Sequence, residues 1–369
     1  MNLIFTSYAS SPEFSEPEVW LKRIEGYTGI LEALAGQHKV TGIERINYEG
    51  TYDQNGVQYI FVKLKNRTIR FPFRMHRLIK ELQPDVVFIN GLIFPLQLIQ
   101  LRLKLGKAVK IIVLHRGEKP SRGINGYLQK LASKMVNAYL FVSAEFGEAW
   151  TKHGNISDQK KIHEVIQASS VFHPQDRAAA RSALQLIGSP VFLWVGRLNE
   201  NKDPITVVKA FIAFAKLRPG VKLYMIYQTE ELLDEVRALV QQNDNAIKLV
   251  GNIPHAELQN WYNAADFIIS GSHHEGSGIA VCEAMSCGCV PIVTDIISFR
   301  KMTGPGPQGS VSKCGLLYEP GNQQALLRSL MQTVEMDMEE ERRKTIQQFK
   351  EELSFEAIAR KINNVINSC

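Results

Sequence analysis

The chain has 369 residues, 45% hydrophobic and 22% charged, with a formal net charge of +6. That length supplies apolar surface for more than one core, so two domains are expected. No stretch reaches the roughly 18 apolar residues of a membrane-spanning helix, because the best candidate, Val86 to Leu101, carries Asn90, Pro95, Gln97 and Gln100.

In chain order, the N-terminal Met-Asn-Leu-Ile-Phe-Thr-Ser lacks the basic and long apolar regions of a signal peptide, which points to a cytoplasmic protein. Short β-rich runs then alternate with longer helical patterns from end to end, the signature of parallel sheets built from crossover units. In the first half, strands are expected at Leu3 to Phe5, Asp85 to Ile89, Lys110 to Leu114, Ala138 to Val142 and Ile162 to Ile166. Between Ile43 and Val62, Asn55-Gly56 separates two alternating runs, the pattern of a hairpin turn.

In the second half, strands are expected at Val191 to Val195, Lys222 to Tyr227, Ile247 to Val250, Phe267 to Ser270, Val290 to Thr294 and Gly315 to Tyr318. Each is followed by a helical pattern, and Val207, Val208, Phe211, Phe214 and Ala215 make one apolar face. The expected class is α/β, with two doubly wound Rossmann-like domains and ligand crevices at the C-terminal strand ends, facing one cleft. The expected domains are 1–172, 173–353 and a C-terminal helix at 354–369 that packs back on the first domain. Phe355, Ile358, Ile362, Val365 and Ile366 form the apolar stripe of that helix.

The five cysteines, Cys282, Cys287, Cys289, Cys314 and Cys369, form no C-x-x-C pair and read as reduced thiols. The charge is unevenly spread. Residues 1–175 hold 23 Lys and Arg against 15 Asp and Glu, while 176–369 hold 20 against 22. The first half is therefore the one expected to meet something acidic. Its basic run, Lys63, Lys65, Arg67, Arg70, Arg74, Arg77 and Lys80, has no acidic residue until Glu81. A helix opening at Pro72 would bury Met75, Leu78, Ile79 and Leu82 and turn Arg74, Arg77 and Lys80 outward. Arg70, Arg74, Arg77 and Lys80, with Phe71 or Phe73, make a patch suited to an acidic acceptor or an anionic membrane surface; a solvated face is the plainer reading.

The stretch from Asp266 to Thr294 reads as strand, loop, helix and strand. Gly276, Ser277 and Gly278 form a small-residue loop opening a helix at about Ile279, whose free N–H groups and positive dipole end suit a diphosphate. Glu275 and Glu283 bracket that loop. Carboxylates only accept hydrogen bonds, so hydroxyls are their natural partners, which points to a sugar carrying phosphate. Arg197 and Lys202 follow Gly196 at a strand end, where a guanidinium and an ammonium suit a leaving diphosphate. His273-His274 is spaced for no metal ligation and is read as structural. Tyr262, Trp261 and Leu258 are read as packing residues, and Ser143 as a helix cap.

These residues resemble a GT-B-fold glycosyltransferase of the group 1, or family 4, type. The matches run in order: Gly196-Arg197-Leu198 with Lys202, Val250-Gly251-Asn252-Ile253, Glu275 through Glu283 with Ala284-Met285, and Gly315-Leu-Leu-Tyr-Glu-Pro-Gly321. The first half matches through Pro84 to Gly91, the His115 loop and Phe141-Val-Ser143, and Ser354 to Ala359 resembles the family's returning C-terminal helix. The resemblance implies a retaining enzyme that uses a nucleotide-diphospho-sugar without a metal or other cofactor. It implies that Arg197 and Lys202 bind the diphosphate, Glu275 the donor-sugar hydroxyls with the amides after it, and Glu283 the ribose. Gly251, Asn252 and Ile253 would lie under the base, and His115 would reach the donor sugar from the first domain.

The expected acceptor is a glycan or lipid-linked molecule in cell-surface polysaccharide or lipopolysaccharide assembly, with the protein cytoplasmic or peripheral on the inner face of the membrane. Nucleic acid is not an expected partner, since no motif stands behind the charge. The sequence departs from the family at Ser7-Tyr-Ala-Ser-Ser-Pro12, where many members carry a glycine pair. It departs again at Ser277, where an aromatic is common, and at Ile296 to Arg300, read as a loop. No Asp-x-Asp pair occurs. The alternatives are a catalytically degenerate chain that binds a nucleotide-sugar or serves as a partner subunit, and, on the same fold, a nucleotide-sugar epimerase or a glycan phosphorylase, the last disfavoured because nothing marks a pyridoxal-phosphate lysine.

Overall fold

The computed structural model describes residues 1–63, 70–241, 245–306 and 312–369, so Lys65 and Arg67 of the basic run lie outside the described residues. The chain divides into two compact units, one of Met1–Gln167 with Phe355–Cys369 and one of Ala168–Ser354. Residues 168–172 fall with the second unit because Phe172 packs there against Tyr262, their rings 6.1 Å apart.

The first unit is built on eight strands: β1 (Asn2–Ser7), β2 (Lys39–Glu44), β3 (Gly50–Gln54), β4 (Val57–Phe61), β5 (Val86–Asn90), β6 (Lys110–Leu114), β7 (Ala138–Phe141) and β8 (Ile162–Glu164). Their order in the sheet is β3-β4-β2-β1-β5-β6-β7-β8, and every pairing is parallel except the β3–β4 hairpin. Asn55 and Gly56 turn that hairpin with φ of 49° and 81°, as a two-residue primed turn requires.

Alternate residues feed cores on the two faces. Leu3, Phe5, Val86 and Phe88 join one cluster, while Ile4, Val87 and Ile89 join the other. The helix Phe355–Ser368 belongs to the first core through Ile358, Ile362, Val365 and Ile366. Gly29 on the helix Glu25–Ala35 lets it approach, since a Cβ there would sit 2.5 Å from the Phe355 ring.

β2 was not expected. Its sequence, Lys-Val-Thr-Gly-Ile-Glu, is not an apolar run, yet Val40 to Ile43 are all buried between β1 and β4. Gly42 is needed there, because a Cβ would meet the Tyr59 ring at 2.7 Å.

The second unit holds β9 (Val191–Gly196), β10 (Lys222–Tyr227), β11 (Ile247–Gly251), β12 (Phe267–Ser270), β13 (Val290–Thr294) and β14 (Leu316–Tyr318) in the order β11-β10-β9-β12-β13-β14. All are parallel. The chain winds outward from β9 to β11, then restarts at β12 and winds the other way. The topological switch point therefore lies between β9 and β12. The segment Ile296 to Arg300, expected as a loop, is instead the start of the helix Ile297–Thr303, whose Phe299 and Met302 are buried. No helix among the described residues is long and apolar enough to cross a membrane.

Candidate functional site

The switch point is where the two motif-bearing loops emerge side by side. β9 and β12 pair only at Phe267 with Phe192 and Ile268 with Leu193, so their C-terminal ends run on without pairing to each other. The loop after β9 is fixed by its own side chains. Asn199 Oδ1 accepts from the Lys202 amide at 3.1 Å, and Asp203 caps the helix Pro204–Leu217 by accepting from the Thr206 amide at 3.1 Å. Asn201 staples it to the loop after β12: its side chain donates to the His274 carbonyl (3.0 Å) and accepts from the His274 amide (3.1 Å). Its carbonyl accepts from the His273 amide at 2.8 Å. Gly271 permits this contact, because a Cβ there would stand 2.9 Å from the Asp203 carbonyl.

The structure brings Lys202 and Glu275 together in an ion pair, and Ser272 Oγ donates to the same carboxylate oxygen at 2.7 Å. Both side chains are largely buried. Arg197 lies just past Gly196, exposed, and its guanidinium pairs with no described residue. After Glu275 come Gly276 and Ser277, partly exposed, then Gly278 at φ +56° as N-cap of the helix Ile279–Ser286. No side chain caps that end; the Val281 and Cys282 amides both donate to the Gly278 carbonyl at 3.0 Å, which leaves those of Ile279 and Ala280 without an intrahelical partner. Ile279 is exposed at the first helical position. Ser298, on the helix after β13, donates to the Glu275 carbonyl and fixes the loop from behind.

Glu283 is buried one turn into this helix. Its Oε1 lies 2.7 Å from His255 Nε2, and its Oε2 accepts from the Tyr262 hydroxyl at 3.1 Å. Burial, and then the neighbouring Glu283 charge, raise the Tyr262 phenol well above its ordinary pKa, which keeps it a donor. Gly251, at φ +89°, ends β11 with open space on its Cβ side, followed by exposed Asn252 and half-buried Ile253.

His115 belongs to the first unit, at the end of β6. It is 7% exposed, stacked on Phe141 at 4.5 Å, and its Nε2 lies 2.9 Å from the Glu118 carbonyl. In the same unit Arg70, Arg77 and Lys80 are exposed, Arg74 pairs with Glu49, and the exposed rings of Phe71 and Phe73 stack 5.9 Å apart. The helix there, Phe73–Glu81, buries Met75, Ile79 and also His76.

Sequence reasoning missed the roles of Asn201, Ser272, Ser298 and His255, and took Tyr262 for packing alone. Only the fold brings His255 and Tyr262 to Glu283, so no local signal marked them. The buried thiols Cys282, Cys287, Cys289 and Cys314 are unpaired, and burial raises each above its ordinary pKa. His273 Nε2 lies 3.4 Å from Asp203, and among the described residues no cluster of three His, Cys, Asp or Glu could hold a metal ion.

Residues 176–352 match the family described as glycosyl transferases group 1. Over 152 residues the chain is 28% identical to the D-inositol 3-phosphate glycosyltransferase of Thermobispora bispora, covering 38% of this chain and 35% of that protein. Over 122 residues it is 30% identical to the GDP-mannose:cellobiosyl-diphosphopolyprenol alpha-mannosyltransferase of Xanthomonas oryzae, about a third of either chain (32% of each). The chain thus spans about a third of the length of the curated relatives it matches. In fold, a glycosyltransferase from Rickettsia africae aligns with TM-score 0.74 at 16% identity, covering 100% of this chain and 98% of the other. The Anabaena HepE structure with UDP and glucose aligns with TM-score 0.67 at 13% identity over 100% of both chains. Residues 176–352 of the second unit thus match the group 1 glycosyltransferase family, and the chain as a whole has the GT-B fold.

Proposed function

We propose that the chain is a metal-independent, retaining glycosyltransferase that moves a sugar from a nucleotide-diphospho-sugar to a glycan or lipid-linked acceptor in cell-surface polysaccharide assembly. The observation that carries this reading is the switch-point constellation: the Lys202–Glu275 pair, exposed Arg197 and the uncapped helix end after Gly278. Support for the donor class comes from the HepE structure with UDP and glucose, and for a lipid-linked acceptor from the Xanthomonas oryzae relative.

In this mechanism Arg197 and Lys202 hold the diphosphate together with the amides after Glu275. An ammonium has three donors, so Lys202 can keep Glu275 while it binds a phosphate oxygen. Glu275 accepts from donor-sugar hydroxyls, and Glu283, already oriented by His255 and Tyr262, from the ribose. Gly251, Asn252 and Ile253 lie under the base.

As the bond from the sugar to the diphosphate breaks, negative charge grows on the leaving phosphate, and the two cations and helix amides stabilise it. The acceptor hydroxyl attacks from the same face, its proton passes to the leaving phosphate, and the anomeric configuration is retained. Arg70, Arg74, Arg77 and Lys80 with Phe71 and Phe73 rest on an anionic inner-leaflet surface, where each basic residue adds about 1 kcal/mol.

Thermal-shift screening against UDP-, GDP- and ADP-sugars, followed by assay of released nucleotide, tests the reading. One donor class should raise the midpoint and be slowly hydrolysed. Binding without any turnover, with or without anionic vesicles, would instead favour the degenerate chain, whose motivation is the loop Ser7 to Pro12 lacking a glycine pair.

A further inference from the structure

Three crossover helices cover one face of the first sheet. The helix Phe73–Glu81 joins β4 to β5, Pro95–Leu105 joins β5 to β6, and Gly123–Ser133 joins β6 to β7. These strands all run parallel, so the three helices run back against them and start at the same edge, the one that holds the carboxyl ends of the strands. Met75 and Ile79, Leu98 and Leu101, and Ala132 bury the inner sides of the helices in one core. The first helix packs on the second and the second on the third. The Gln100 side chain donates to the Arg70 carbonyl and the Gln129 side chain to the Leu92 carbonyl, each at 3.1 Å, which ties the segments before the first two starts to the neighbouring helix.

Those starts carry exposed apolar side chains. Phe71 and Phe73 stand at the first, Ile93 just before the second, and Ile124 and Tyr127 on the third, each between 53% and 81% exposed. A single exposed apolar residue is ordinary, whereas five at one end of three packed helices mark a contact surface. The charge follows them. Residues 62–144 hold 16 Lys and Arg against 3 Asp and Glu, leaving 9 against 13 for the rest of the unit. Near the starts Arg70, Lys119 and Arg122 are exposed, and the positive helix ends add to their field.

We propose that this edge inserts into the interface of an anionic lipid bilayer, with Phe71, Phe73, Ile93, Ile124 and Tyr127 reaching below the headgroups and the cations beside them drawn to the headgroup charge. The inference rests on the membrane part of the function proposed above and extends it. There the basic residues around one helix rest on the surface; here the apolar starts of three helices anchor the unit and set which end faces lipid. A bilayer accounts for both features together, since an amphipathic protein surface gains from buried apolar area and from anionic lipid at once. A ring with a polar tip, such as Tyr127, favours the headgroup level. Seated in this way, the carboxyl ends of β5 and β6 lie at the interface, where a lipid-linked acceptor presents its sugar.

Flotation of the full chain with vesicles of phosphatidylcholine, alone and mixed in equal parts with phosphatidylglycerol, at low and high salt tests this. The parent should bind the mixed vesicles and keep part of that binding at high salt, where charge alone is screened. Ile124→Ser combined with Tyr127→Ser should weaken binding roughly tenfold or more at either salt, as withdrawal of two apolar side chains implies. Its unfolding midpoint should stay at the parental value, because both positions are exposed, so that lost binding is not lost fold. Arg77→Gln combined with Lys80→Gln should weaken binding at low salt only. Loss of all parental binding at high salt, or equal binding by the parent and the Ile124→Ser, Tyr127→Ser variant, overturns the proposal and leaves the surface-charge reading standing. Binding of neither vesicle by the parent overturns both. Self-association of the parent that the same variant abolishes, without vesicle binding, assigns the edge to a second copy and also overturns the proposal. The donor reading fails separately, when no nucleotide-sugar shifts the midpoint.

Discussion

The two units carry similar sheets but opposite electrostatics. The first holds 25 Lys and Arg against 16 Asp and Glu, the second 18 against 21. In the second unit the charges at the motif loops largely neutralise one another: Lys202 with Glu275, His255 beside Glu283, and Asp266 between Arg177 and Arg181. In the first, Arg45 is buried without an acid, and burial pushes the Glu44 carboxyl up to about 7 although Trp20 donates to it. The contrast teaches that the second unit builds its site from internal pairs, with geometry fixed in advance. The first carries an excess of cations, among them Arg45, buried with two nitrogens that make no hydrogen bond.

The sharpest way to break the contrast is to remove its central pair. Lys202→Ala removes the cation paired with Glu275 and, on the proposed function, takes a cation from the leaving diphosphate. Turnover, read as released nucleotide, should fall by an amount on the order of 3 to 4 kcal/mol, by analogy with loss of an oxyanion-hole donor. Parental turnover in that variant would sink the assignment.

Preorganisation can be tested at Gly278. Its φ of +56° disfavours any side chain, and a Cβ would approach Phe299 to 2.8 Å. Gly278→Ala should therefore lower the unfolding free energy by about 2 kcal/mol in denaturant titration. A variant as stable as the parent would show that the loop is not held as described.

The smallest expected effect sharpens the first-unit side. With a folded pKa of about 7 against an ordinary 4.5, Glu44 binds more protons in the folded than in the unfolded state across that window. Its contribution to stability is present below the lower value and is lost as pH rises through the higher one. Glu44→Gln stays neutral, so its stability should be flatter between pH 5 and 7. At pH 8 it should exceed the parent by on the order of 1 kcal/mol, a figure reduced because the side chain is only partly buried. Parallel pH profiles of parent and variant would remove Glu44 as the cause.

The second unit was the more legible in sequence. β10, β12 and β13 match their expected residues at both ends, since parallel strands buried on both faces read as continuous apolar runs. The loop Gly276–Gly278 and the helix start at Ile279 were equally readable, because glycines and a following helical pattern are local signals. β2 was not, because its burial is met by Gly42 and Thr41 rather than by an apolar run. The helix Ile297–Thr303 was also missed, since its apolar face is defined by packing against Gly278.

The sequence by itself determined the α/β class, the hairpin at Asn55-Gly56 and the glycine loop between Glu275 and Glu283. Each of these depends on residues close together in the chain. Only the tertiary structure decided that Lys202 meets Glu275 across 73 residues, that His255 and Tyr262 orient Glu283, and that Arg45 is buried without a counter-charge. Those facts depend on strand order and on which loops the sheet brings together, and pairing across such separations leaves no periodic trace in one chain.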